Sequence, residues 1–203
     1  MPVCTSAIVL AGGASSRFGR DKRYLEVDGE TLLSRTVRVV RTEVQEVVVV
    51  GSQVPVRREG VRFIPDGFPG SGPLGGILTG LEQTRGQWVF IAACDMPLLR
   101  PQTVRFLLAL AAQADADAIV PLAGGRSHPL HAVYRSSVAA AWRPRLQATE
   151  RSQLSLRSAL SDIRVRWVTG AELRSVDPRL ESLVNVNTEV EWQGLLGAER
   201  QAL

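Results

Sequence analysis

The sequence has little of what marks several common protein classes. It contains only 2 cysteines, Cys4 and Cys94, among 203 residues. Two cysteines provide neither a disulfide framework nor the spacing of a zinc site, so we interpret them as buried or half-buried thiols. The apolar runs Ala7–Ala11 and Trp88–Cys94 are far too short to span a bilayer. No basic segment followed by a cleavage site opens the chain, which favours a cytoplasmic protein without a membrane partner.

Lysine is almost absent. Lys22 is the only lysine, and arginine supplies the remaining positive charge in a chain with 24 basic and 20 acidic residues. The net charge of +4 suits an anionic substrate such as a phosphate. No run of five basic residues occurs and aromatic residues make up only 5%, which argues against a nucleic-acid partner. A compact ammonium group can sit between two phosphates, which makes Lys22 a candidate phosphate ligand.

Hydrophobic patterns alternate between strand and helix along most of the chain. They predict an α/β fold in which a mostly parallel sheet is covered by helices on both faces, a Rossmann-like three-layer α/β/α sandwich. No repeat or long linker divides residues 1–203, so one domain is expected. The predicted strands are Ala7–Ala11, Val47–Val50, Val61–Ile64, Trp88–Ala93, Ala118–Pro121, Pro129–Tyr134 (antiparallel to the others) and Val165–Val168. The predicted helices lie at Thr31–Val44, Leu74–Leu81, from Pro101 onward, Val138–Trp142 (broken or kinked at Pro144), Gln153–Leu160 and Thr188–Gly194.

A glycine-rich loop follows the first predicted strand. Its sequence from position 11 is Ala-Gly-Gly-Ala-Ser-Ser-Arg-Phe-Gly-Arg-Asp-Lys. Ligands bind at the carboxyl ends of strands in open parallel sheets, and glycines there let backbone N–H groups approach phosphate oxygens. Arg17 and Lys22 can neutralise a triphosphate. The loop lacks both the Gly-x-Gly-x-x-Gly spacing of dinucleotide sites and the Gly-x-x-x-x-Gly-Lys-Ser/Thr pattern of a P-loop.

The loop resembles the signature of the molybdenum cofactor guanylyltransferase family, Leu-Ala-Gly-Gly-x-x-x-Arg-x-Gly-x-Asp-Lys, which this chain carries from Leu10 to Lys22. The resemblance implies a nucleotidyltransferase of the nucleotide-diphospho-sugar transferase type. Related cytidylyltransferases usually carry Ala-Ala-Gly where this chain has Ala11-Gly12-Gly13, so the implied nucleotide is GTP. The implied GTP-binding residues are Leu10, Ala11, Gly12, Gly13, Lys22, Asp66, Gly72, Pro73, Leu74 and Asp95.

Two aspartates end predicted strands. Asp66 opens a loop that closes with Gly72-Pro73-Leu74, and by itself it is typical of a turn before glycine. The family also has Asp followed by Gly-Pro-Leu-x-Gly, which favours a ligand role. Asp95 lies at the end of the most hydrophobic strand, where a carboxylate is costly to bury unless it meets a cation. The family's Asp-x-Pro motif, here Asp95-Met96-Pro97, is its Mg²⁺ site, so Asp95 is the predicted metal ligand.

Two further motifs follow the family's order. His128-Pro129 matches the family's His-Pro strand and is implied to line the acceptor pocket, without a proton-transfer role. Asn185 and Asn187 match its Asn-x-Asn-Thr motif, and alternation places both side chains on one face. They are predicted acceptor-binding residues, with a turn or a helix cap as the alternative. The chain departs from the family after Thr188, where Glu-Val-Glu replaces Pro-Glu, and at Gly51-Ser52-Gln53, where some members have an asparagine-containing turn that bears on nucleobase contacts.

The resemblance implies transfer of GMP from GTP to molybdopterin, with release of pyrophosphate. An acceptor phosphate is already ionised, so catalysis needs positioning and charge neutralisation by Lys22, Arg17 and Asp95 rather than a general base. The implied partners include molybdenum-insertion and molybdoenzyme maturation proteins. The alternatives are a cytidylyltransferase or sugar-phosphate nucleotidyltransferase, a dinucleotide-dependent oxidoreductase, and a nucleotide-binding protein without turnover.

Overall fold

A central sheet organises the protein. The computed structural model describes residues 4–12, 25–51, 60–147, 154–186 and 188–194. The strands in these ranges are β1 Thr5–Leu10, β2 Glu26–Val27, β3 Glu30–Thr31, β4 Glu46–Val50, β5 Val61–Ile64, β6 Trp88–Ala93, β7 Ala118–Ala123, β8 Arg126–Ser127, β9 His131–Arg135 and β10 Val165–Thr169. The helices are α1 Leu32–Arg41, α2 Gly72–Gln83, α3 Pro101–Gln113, α4 Val138–Gln147, α5 Leu156–Ala159 and α6 Gly170–Leu173, with 3-10 turns at Leu160–Asp162 and Glu181–Leu183. Residues 189–194 are also helical.

The strands lie in the order β10-β7-β9-β6-β1-β4-β5, and β8 pairs with β7. β1 is parallel to both β4 and β6, and β10 is parallel to β7. β9 is antiparallel to β6 and to β7, as predicted for Pro129–Tyr134. The predicted fold class is therefore confirmed. β2 and β3 form a separate hairpin.

Two apolar layers hold helices against the two faces of the sheet. Along β1, Ala7 and Val9 pack in one layer with α1 and α3, whereas Ile8 and Leu10 pack in the other with α2 and α4. Successive side chains of a strand point to opposite faces, so a strand covered on both faces must be apolar at every position. That requirement explains the continuous apolar runs of β1 and β6.

Helix α4 passes through Pro144 and ends at Gln147. Of the two effects predicted for Pro144, a break or a kink, the break is therefore wrong. Pro144 removes the hydrogen bond to the carbonyl of Ala140, but both residues are exposed, so water can satisfy that carbonyl. Trp142 is fully buried and donates its indole N–H to the Ala159 carbonyl, at 2.9 Å. Arg145 forms an ion pair with Asp162 beyond the proline, which fixes the last turn.

The last helical segment begins at a capping box. The Glu191 N–H donates to Thr188 Oγ1 at 3.2 Å, and the Thr188 N–H donates to the Glu191 carboxylate at 3.0 Å. This arrangement satisfies two backbone donors that the helix itself leaves open. Thr188 therefore caps the predicted terminal helix, although this chain lacks the Pro-Glu that follows the threonine in the family motif. Among all the described residues, no helix is long and apolar enough to cross a membrane.

Candidate functional site

The loops after the central strands open at one edge of the sheet. The Ala11 N–H donates to the Val50 carbonyl at 2.8 Å, and the Cys94 N–H donates to the Leu10 carbonyl at 3.3 Å. These bonds continue the sheet one residue beyond β1 and β6 and hold their ends level with β4. The carboxyl ends of parallel strands are where ligands bind in such sheets. The structure thus brings the ends of three predicted strands together.

Gly51 packs tightly against the backbone just beyond β1. A Cβ atom on Gly51 would lie 2.6 Å from the Ala11 carbonyl carbon and 2.7 Å from the Gly12 nitrogen, both backbone atoms. A larger residue would displace the backbone at Ala11 and Gly12. Leu10 and Ala11 turn their side chains into the core, so any contact of theirs with a nucleotide would use the backbone. Gly12 is exposed at this edge.

Asp66 lies at the end of β5 and faces helix α2. Its Oδ1 accepts the Phe68 N–H at 2.9 Å, and Thr79 Oγ1 of α2 lies 3.3 Å away. Asp66 therefore stabilises the turn before Gly67, as the sequence predicted for an aspartate in this position. No hydrogen bond from the described part of the chain reaches Asp66 Oδ2, and the residue is half-buried. A turn role at one oxygen leaves the other available to a ligand.

The predicted Gly72-Pro73-Leu74 segment forms the first turn of α2. Gly72 has φ +65°, a conformation that favours glycine, and the cap residue Ser71 makes no side-chain hydrogen bond. Leu74 is fully buried, so only its backbone can face a ligand. The N-terminus of a 12-residue helix carries partial positive charge, so it can attract the same anion as the loop after β1.

Asp95 and Asn185 come from distant parts of the sequence and meet at this edge. The Val186 N–H donates to the Asp95 carbonyl at 3.0 Å, which fastens the Asn185 segment to the loop after β6. Oδ1 of each residue is buried, and Asn185 Oδ1 accepts no hydrogen bond from the described residues. A carboxylate and an amide oxygen are hard donors of the kind that Mg²⁺ prefers.

The donor set fits Mg²⁺ only if a substrate completes it. The described residues contain no cluster of three or more histidine, cysteine, aspartate or glutamate side chains that could hold a metal ion. Mg²⁺ usually takes one or two carboxylates together with waters and substrate phosphates. Asp95 and Asn185 are therefore suited to a metal ion that arrives with a nucleotide.

The His128 turn reaches the same edge because β9 runs antiparallel and begins there. The Ala93 N–H donates to the Leu130 carbonyl at 3.2 Å, which places this turn beside the end of β6. Burial lowers the pKa of His128, and the nearby Arg126 lowers it further. A neutral imidazole near pH 7 agrees with a lining role without proton transfer.

A second histidine was missed by the sequence reasoning. His131 is fully buried on β9, and in the part of the chain that is described neither ring nitrogen has a hydrogen-bond partner. Its ring packs edge-on against Phe90, with centroids 5.2 Å apart. Burial, and to a smaller extent the charge of His128, lowers the pKa of His131 to about 3, whereas Asp177 acts in the opposite direction. No motif or spacing in the sequence indicates that this histidine is buried among apolar residues of the sheet.

We expect His131 to make the protein sensitive to acid. In the unfolded chain, His131 becomes protonated as the pH falls below about 6.5. In the folded protein it stays neutral until the pH approaches its lowered pKa of about 3. Stability from this group is complete above pH 6.5 and is lost as the pH falls, at up to about 1.4 kcal/mol per pH unit. Urea unfolding of the wild type and of His131→Leu between pH 7 and pH 4.5 measures this. The leucine variant should lose that part of the pH dependence, and parallel curves for the two proteins would contradict the prediction.

Several predicted site residues lie outside the described residues. They are Gly13, Arg17, Lys22 and Asn187. The described predicted residues, which share the carboxyl edge of the sheet, are Leu10, Ala11, Gly12, Asp66, Gly72, Pro73, Leu74, Asp95, His128 and Asn185.

Residues 7–165 match the family model described as the MobA-like NTP transferase domain. The chain belongs to this family. The MobA-like transferase is 33% identical over 193 residues to a Bacillus cereus (strain AH820) protein named "Probable molybdenum cofactor guanylyltransferase", covering 92% of this chain and 93% of that one. A Bacillus anthracis protein of the same name is 34% identical over the same shares.

A solved structure shares the fold of the MobA-like transferase. It is molybdopterin-guanine dinucleotide biosynthesis protein A from Archaeoglobus fulgidus, with a TM-score of 0.83 and 24% identity, covering 97% of this chain and 99% of the other. Membership of this family identifies the protein as a nucleotidyltransferase enzyme.

Proposed function

We propose that this enzyme transfers GMP from GTP to molybdopterin and releases pyrophosphate. The observation that carries the proposal is that three features lie at one sheet edge. These are the end of β1 at Ala11 and Gly12, the N-terminus of α2, and the Asn185 segment that is fastened to Asp95 through Val186. The acceptor and the guanine base are inferred from the names of the relatives. The sequence Ala11-Gly12-Gly13 also favours GTP over CTP.

The nucleotide would lie across the ends of β1, β4 and β5. The loop after β1, with Arg17 and Lys22, would hold the triphosphate, and the N-terminus of α2 would add positive potential. The second oxygen of Asp66 could accept a hydrogen bond from a ribose hydroxyl. The backbone of Gly51 packs directly against Ala11 and Gly12, where a Cβ atom would have no room.

The reaction would proceed by in-line attack of the acceptor phosphate on the α-phosphate of GTP. When bound, Mg²⁺ would neutralise the phosphate charges that develop during the displacement. Asp95 would hold the ion, and the Asn185 amide oxygen lies in the segment fastened beside it. His128, Asn185 and Asn187 would face the acceptor. We place this reaction in the cytoplasm, with molybdenum-insertion and molybdoenzyme maturation proteins as later partners.

A nucleotide screen tests the proposal. The thermal midpoint of the protein is measured with ATP, CTP, GTP and UTP, each with and without Mg²⁺, and pyrophosphate release is then followed with molybdopterin as acceptor. Ligand at about 100 times its dissociation constant stabilises the folded state by about 2.7 kcal/mol. We expect that stabilisation only with GTP and Mg²⁺, and pyrophosphate release only when molybdopterin is added. Selective stabilisation by CTP would overturn the base assignment.

A further inference from the structure

Two loops that build the metal side of the site are joined at both of their ends. The first runs from Asp95 to Arg100 and connects β6 to α3. The second, residues 177–186, carries Asn185. At one end Val186 N–H donates to the Asp95 carbonyl. At the other end the Arg100 N–H donates to Ser182 Oγ at 3.2 Å. The place of Asn185 relative to Asp95 therefore depends on both attachments.

Asp177 is the most deeply buried carboxylate at the second attachment. The residue is 1% exposed, and its Oδ2 accepts the Ser182 N–H at 2.8 Å. The Arg100 guanidinium lies 3.8 Å from Oδ1. A buried carboxylate is costly unless charge and hydrogen bonds compensate it. Here Oδ2 accepts the Ser182 N–H of the 3-10 turn Glu181–Leu183. Oδ1 is buried without a hydrogen bond from the described residues, and the Arg100 cation of the facing loop compensates its charge.

The remaining contacts at this attachment bind the same two loops. Ser182 Oγ lies 3.1 Å from Thr103 Oγ1 in the first turn of α3, and Ser182 is fully buried. Arg100 also forms an ion pair with Glu181. The network ties the turn that precedes Asn185 to the start of α3, without a side chain of its own at the proposed metal site.

We propose that Asp177 is a positioning residue for metal and acceptor binding. By holding the backbone of Ser182 against Arg100, it sets where the Asn185 oxygen lies relative to Asp95. Without Asp177, the buried Ser182 N–H loses its acceptor. The attachment at Arg100 then keeps only the contacts of the Ser182 hydroxyl and the ion pair with Glu181, so it holds the segment that carries Asn185 less firmly. The inference rests on the proposed function, because it assumes that Asp95 and Asn185 serve a metal–nucleotide complex.

Asp177→Ala and Asp177→Asn test the proposal. Mn²⁺ binding in the presence of GTP is measured by the loss of the free-ion electron paramagnetic resonance signal, and the acceptor KM is measured in steady state. We expect Asp177→Ala to raise the half-saturating Mn²⁺ concentration and the acceptor KM by roughly 10- to 100-fold, the usual effect of removing a residue that orients a ligand. Asp177→Asn keeps an oxygen for Ser182 and should lie closer to wild type.

Two further variants separate positioning from stability. Glu181→Gln breaks the ion pair with Arg100 at a partly exposed residue and should shift Mn²⁺ binding in the same direction by a smaller factor. Val37→Ala removes buried methyl groups from α1 and should lower the thermal midpoint without changing either binding constant. If folded Asp177→Ala keeps the wild-type Mn²⁺ affinity and acceptor KM, the positioning role of Asp177 is overturned and the proposed function is not affected. Absence of Mn²⁺ binding by the wild type would instead overturn the proposed metal site, and this inference with it.

Discussion

Replacing Asp95 with asparagine is expected to lower the rate of nucleotidyl transfer by roughly 10²- to 10³-fold, the range seen when one group that stabilises transition-state charge is removed. The asparagine side chain has nearly the same shape, so the loop between β6 and α3 can keep its course. The bond from Val186 uses the Asp95 backbone carbonyl and is also kept. What the variant loses is the negative charge that would hold Mg²⁺ against the phosphates.

Single-turnover transfer by Asp95→Asn and the wild type measures this loss, with thermal unfolding of both as a check on folding. The wild type should gain stability from GTP with Mg²⁺, and the variant should gain far less. Asp162→Asn is a matched control, since Asp162 forms an ion pair with Arg145 on α4, away from the sheet edge. A near-wild-type rate for Asp95→Asn would contradict the prediction that Asp95 binds the metal ion.

The core of the fold could be predicted from sequence because its strands are buried on both faces. Trp88–Ala93 was predicted with its observed bounds, since a continuous apolar run of this length has few alternative interpretations. Val61–Ile64 was also predicted with its observed bounds, although it is an edge strand in which Arg62 is exposed. The short hairpin of β2 and β3 was not predicted. Its strands have two residues each, too few for any periodicity to appear.

The candidate site was partly predictable for a topological reason. Parallel strands point their carboxyl ends to one edge, so residues that follow such strands, including Asp66 and Asp95, are brought together wherever they lie in the sequence. The network around Asp177 follows no such rule. Asp177, Ser182 and Arg100 lie in loops, and their hydrogen bonds depend on how those loops pack. Sequence spacing also could not show that Leu10 and Leu74 are buried, which limits any nucleotide contact of theirs to the backbone.

Replacing Lys22 with alanine is expected to lower kcat/KM for GTP by roughly 10²- to 10³-fold without unfolding the protein. The reason is electrostatic. A triphosphate carries several negative charges, and an ammonium group between two phosphates offsets charge that backbone N–H groups alone cannot neutralise. Lys22→Arg keeps the charge but spreads it over a planar group that needs more room, so it should restore only part of the rate. Full activity of Lys22→Ala would contradict the phosphate role.

The scarcity of lysine makes a direct test of Lys22 possible. Because Lys22 is the only lysine, an amine-directed reagent can modify only this side chain and the chain's terminal amine. Reaction with pyridoxal phosphate and borohydride, followed by peptide mass analysis, should label Lys22 in the free enzyme. GTP should protect it, whereas NAD should not, and the terminal amine provides an internal reference in the same sample. Equal labelling of Lys22 with and without saturating GTP would show that the nucleotide does not cover this lysine. That result would contradict the proposal that the loop after β1 binds the triphosphate.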